Sequence, residues 1–162
     1  MKILKIQALR GPNIWSGQRK KLIQMRLDLE DMELSPTNKI EGFRERIEQM
    51  FPTMIEHRCS EGERGGFFSR IERGTWMGHV IEHIALEIQT LAGMETGFGR
   101  TRETKTPGIY NVVFSYTEEN VGMFAAESAV SIAEALIAGT AYDLDADIQK
   151  MREIRWKNWL HG

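Results

Sequence analysis

The chain has 162 residues, 21 of them basic and 23 acidic, for a net charge of −2. That size suits one domain able to bury a core without cross-links, and the charge gives no electrostatic ground for nucleic acid or an anionic membrane as a partner. A single cysteine excludes an internal disulfide framework, and with no charged-then-apolar leader at the start a reducing, cytoplasmic location is expected.

Residues 2–9 and 21–29 alternate apolar and polar side chains around the turn formers Arg10, Gly11, Pro12 and Asn13, which predicts an early strand pair. A helix over 40–50 follows, with Asn38 as its expected cap, Glu41 in the capping-box position and Pro52 as its stop. Residues 53–56 read as a short strand leading into a turn-rich stretch around Cys59. A brief helix over 67–72 is cut by Gly74, and Thr75 is the expected cap of a longer helix over 75–93. The polar, basic segment 97–108 reads as a loop, 109–116 as a strand and 118–138 as a buried helix, apolar around most of its circumference. Residues 143–160 read as a charged helix with a narrow apolar stripe at Leu144, Ile148, Met151 and Ile154 or Arg155, which either packs on the domain or leads away from it. With Trp156 and Trp159 near an uncapped end, the chain reads as a fragment of a longer protein. The expected class is α/β (α+β): a compact domain over 1–140 with a small mixed sheet against several helices, and a charged helical tail over 141–162.

The most informative motif is His79-x-x-Glu82-His83 within the predicted 75–93 helix. Residues four apart lie on one side of a helix about one turn apart, so the two imidazoles can hold a single metal ion with Glu82 beside it. The order is the inverted form of H-E-x-x-H, in which the histidines are ligands and the glutamate is the general base of a zinc peptidase. Met77, Val80, Ile81, Ile84, Ile88 and Leu91 form the natural core stripe. His79 and His83 lie opposite with Trp76, Leu86 and Thr90, and with Glu87 close by, so this second face is expected to floor a cleft. Trp76 and Glu87 are candidates to meet substrate there.

Zinc needs a further protein donor and an open position. Cys59 is the first candidate, with Glu87, Glu119 and Glu127 as alternatives; the competing role for Cys59 is a small buried apolar group, and for the histidines a hydrogen bond to a neighbouring loop. Glycine beside arginine in segments such as Gly99-Arg100-Thr101-Arg102-Glu103 suits close approach to carboxylates, and Arg100 and Arg102 are the candidate contacts. No phosphate-cradling glycine motif is present.

Several blocks carry a family resemblance. Arg26-Leu27-Asp28-Leu29-Glu30, Gly74-Thr75-Trp76-Met77-Gly78-His79, Glu82-His83-Ile84-Ala85-Leu86-Glu87 and Gly97-Phe98-Gly99-Arg100-Thr101-Arg102 closely resemble the amino-terminal domain of cyanophycin synthetases, over a span from about the start of the chain to Ala138. The resemblance implies an ATP-dependent, peptide-type ligase that builds cyanophycin, a poly-aspartate chain bearing arginine, with ATP and Mg2+ used in an ATP-grasp domain and a Mur ligase-like domain that are not in this sequence. It implies that this piece holds the polymer, in a larger protein expected to be a homo-oligomer, and that in some members a metallopeptidase-like site cuts the polymer to make primers. That site maps onto His79, Glu82 and His83. A non-catalytic polymer-tethering module is the alternative.

Overall fold

The computed structural model describes residues 1–9 and 21–161; the expected turn at 10–13 lies outside them. Strands β1 (Lys2–Leu9) and β2 (Leu22–Asp28) pair antiparallel as expected, with an irregularity between Ile3 and Lys5. The sheet order is β1-β2-β4-β3, where β4 is Ile109–Ser115 and β3 is Gly99–Glu103. The mixed α/β class holds, but every pairing is antiparallel, so the sheet is not mixed. The reason is connectivity: β3 and β4 are hairpin neighbours, and the long helical excursion between β2 and β3 returns the chain to the far edge of β4.

The described residues form five helices, α1 (Phe43–Met50), α2 (Gly66–Arg73), α3 (Met77–Leu91), α4 (Glu119–Ala138) and α5 (Leu144–His161), of which α3 lies on β3 and β4 and α4 on β1 and β2, with α1 and α5 packed on α4 and α2 on α1. Alternation along the strands turns Ile23, Met25, Leu27, Val112 and Phe114 into the core, where they meet Met77, Val80, Ile81, Ile84 and Ile88 of α3 and the apolar residues of α4. Helix α4 is apolar almost all round because it packs against α3, α5, α1 and the β1–β2 side of the sheet.

Four local expectations are corrected. Helix α1 begins at Phe43, since Gly42 stands at φ +67°, a left-handed backbone no helix contains. Asn38 therefore caps nothing there; it lies in a 3-10 turn, and its amide donates to the Arg73 carbonyl at the end of α2. Residues 53–56 are not a strand but part of a 3-10 turn (Pro52–Glu56) begun by Pro52, whose fixed φ suits a first helical position. Thr75 does not cap α3: Trp76 holds the N-cap position and the Thr75 hydroxyl turns to His79. Within the expected 97–108 loop, residues 99–103 add to the sheet as β3 because β4 offers a free edge. Helix α5 packs back on the domain through Ile148 and Met151, and Arg152 and Arg155 donate to the Leu91 and Gly93 carbonyls at the end of α3.

Candidate metal centre

Helix α3 lies with its first turns against β3 and β4. A Cβ on Gly78 would sit 3.1 Å from Thr101, and one on Gly99 would overlap the Glu82 carboxylate, so the absence of side chains at both positions lets helix and strand touch. The opposite flank of α3 faces the 3-10 turns between α1 and α2. Between them runs a cleft of about 1030 Å³, its wall including Cys59, Arg70, Trp76, His79, Glu82 and His83.

At its floor three donor atoms converge. The Cys59 Sγ is 3.1 Å from His79 Nε2, which is 3.1 Å from His83 Nε2, and the ligand atoms of all three residues lie within 4.8 Å of one another. Helical spacing brings the imidazoles together; a tight turn, with Cys59 at φ +53°, delivers the sulfur. The set is a thiol and two imidazoles, partly or fully buried, which is an accepted zinc donor set. Phe67 of α2 stacks on His83 at 4.3 Å between ring centroids.

The surroundings favour neutral imidazoles. Burial, aided by the Arg70 charge, lowers the pKa of His79 to about 4, and burial with His79 and His57 nearby pushes His83 well below the usual imidazole range. Both rings therefore hold lone pairs that a cation can use. Glu82 is 5% exposed, and burial raises its carboxyl to about 7 despite a 2.6 Å hydrogen bond from the Thr101 hydroxyl.

Of the expected site residues, Cys59, His79 and His83 meet, and Glu82 and Trp76 line the same cleft. Glu119 and Glu127 are not among the clustered donors; Glu119 accepts from Tyr116 and lines a separate pocket with Lys21 and Asn158. Glu87 reaches the cleft, but its two oxygens take the Thr53 hydroxyl and His57 Nε2, the latter at 2.8 Å. Burial works to raise the Glu87 carboxyl, and the His57 and Thr53 hydrogen bonds outweigh it and lower it. Thr101 points inward, so Arg100 and Arg102 on either side of it both lie with Gln24 and Asn111 on the sheet face away from α3, and only Arg100 also borders the cleft. His57 is the group that the sequence does not single out: its Nδ1 is 2.8 Å from His83 Nδ1. Its only signal is a place two residues before Cys59, on a turn with no periodicity to tell its direction.

Residues 24–138 match the family described as "Cyanophycin synthase-like N-terminal domain". The chain is 56% identical over 155 residues to a cyanophycin synthetase of Geminocystis herdmanii, 52% over 157 to one of Synechocystis and 50% over 158 to one of Crocosphaera subtropica, alignments that cover 95–96% of this chain. In each case the chain spans 18% of the relative's length.

Proposed function

The chain belongs to the family of cyanophycin synthase-like N-terminal domains, and from that premise we propose that it binds the aspartate–arginine polymer and cuts it at a zinc-dependent hydrolytic site, supplying primers to an ATP-dependent ligase of which it is one domain. The observation that carries the reading is the convergence of Cys59 Sγ, His79 Nε2 and His83 Nε2 on one point. A zinc ion held by these three supplies Lewis-acid polarisation of a carbonyl and acidification of water.

The chain's own residues supply the rest. Glu82, with a pKa of about 7, is poised to take a proton from attacking water and return it to the leaving amine, since a base works best when its pKa lies near the working pH. Arg58, Arg70 and Arg100 share the cleft wall with Glu56 and Glu87, and this mixture of signs suits a polymer whose side groups carry both guanidinium and carboxylate. Trp76 forms part of the same wall and offers an aromatic face to a guanidinium.

Zinc content and polymer cleavage test the reading together. The purified chain should hold one zinc that His79→Ala and His83→Ala each remove, and Glu82→Gln should lower polymer cleavage by about 100-fold or more while keeping the metal. Polymer binding with neither zinc nor cleavage would leave a tethering module with no chemistry of its own, and cleavage that is indifferent to Glu82→Gln would refute the peptidase reading with Glu82 as its base.

A further inference from the structure

We infer that His57 and Glu87 are positioning residues that decide which nitrogen of His83 carries its proton, and so keep the Nε2 lone pair of His83 directed at the donor cluster. The inference rests on the zinc reading of Cys59, His79 and His83.

Hydrogen-bond inventory leads to this arrangement. A carboxylate only accepts, so across the 2.8 Å contact between Glu87 Oε2 and His57 Nε2 the proton is on His57. In a neutral ring the other nitrogen is then an acceptor. The partner of that nitrogen is His83 Nδ1 at 2.8 Å, which must donate. With its proton on Nδ1, His83 presents a bare Nε2 to the cluster, 3.1 Å from His79 Nε2. The carboxylate that starts the chain is itself held: Glu87 is 3% exposed, and the Thr53 hydroxyl donates to its other oxygen. The His57 ring packs beside Phe67, the same ring that stacks on His83.

His79 is arranged differently. Its Nδ1 meets the Thr75 hydroxyl at 3.0 Å, a group able to donate or accept, so its proton can move from Nε2 to Nδ1 when a cation arrives. One imidazole is locked and the other adapts. Second partners of ligating histidines commonly set metal affinity by about 10- to 100-fold, which is the effect assigned here to His57.

The test uses the full 162-residue chain with three proteins: unmutated, His57→Phe, which keeps an aromatic ring and removes the acceptor, and His57→Asn, whose Oδ1 stands in for the lost Nδ1. Long-range proton–nitrogen NMR on the metal-free proteins reads the tautomer of His83, and competition against a chromogenic chelator reads zinc affinity. The unmutated chain should show His83 protonated on Nδ1. His57→Phe should show mixed tautomers and bind zinc about 10- to 100-fold more weakly, and His57→Asn should recover most of both. A proton found on Nε2 of His83 in the unmutated chain, or a His57→Phe protein that binds zinc as tightly as the unmutated one, would overturn the inference. If the unmutated chain takes up no zinc, the proposed function falls, while the metal-free spectrum still decides the role of His57.

Discussion

Replacing Glu82 with glutamine should stabilise the metal-free protein in alkaline solution and give up that advantage toward acid. Burial holds this carboxyl at a pKa of about 7, against 4.5 for the free group, with the Thr101 hydrogen bond only partly opposing it. Between those values the folded chain keeps a proton that the unfolded chain has released, so the native state loses stability as pH rises through this window and the loss is complete above about pH 7. At about 1.4 kcal/mol for each tenfold change in proton affinity, the loss is about 3 kcal/mol. Glutamine is neutral throughout and escapes it. His79 and His83, whose pKa values are lowered, work in the other sense: stability is lost as pH falls below the ordinary imidazole value, equally in both proteins. Urea unfolding of the chelator-treated pair at pH 4.5, 6 and 8 isolates the difference. It should open by about 3 kcal/mol in favour of Glu82→Gln between the first and last of these. A difference that stays flat with pH would show that the Glu82 carboxyl is hydrated and would undo the case for it as a base poised near neutrality.

Other consequences are open to the same kind of measurement. Gly99→Ala places a methyl group in the volume of the Glu82 carboxylate and should cost about 1–3 kcal/mol in unfolding experiments; an unchanged stability would mean that α3 and β3 do not touch. Met151 is fully buried where α5 meets the domain, so Met151→Ala should cost about 2–4 kcal/mol. Trp156 of the same helix is 60% exposed, and Trp156→Ser should stay within about 0.5 kcal/mol. Equal effects of the two substitutions would contradict the packing of α5.

What could be read from the residues alone was whatever repeats along a regular element. Alternation marked β1 and β2, β-branched and aromatic residues marked β4, and the stripe from Met77 to Ile88 marked the core face of α3 and put His79 and His83 opposite it. Illegible features were those decided by a partner outside the element itself. Strand β3 exists because β4 has an edge to offer, and residues 99–103 alone read as a polar loop. Asn38 and Thr75 are good helix caps by type, yet Asn38 spends its side chain across the fold on Arg73 and Thr75 spends its hydroxyl on His79, in the first turn of α3. At the site, helical geometry was enough to pair the histidines, and Cys59 could be named as the one soft donor in the chain. The link from His83 through His57 to Glu87 was hidden, since it joins a turn to a helix across 26 and 30 residues of sequence.

The central claim is that Cys59, His79 and His83 hold one zinc ion, and X-ray absorption at the zinc edge tests it most directly. Protein loaded with a single equivalent should show one sulfur at about 2.3 Å and nitrogen or oxygen at about 2.0–2.1 Å, and Cys59→Ser should lose the sulfur. A shell of nitrogen and oxygen alone in the unmutated protein, or a sulfur that survives Cys59→Ser, would contradict the account.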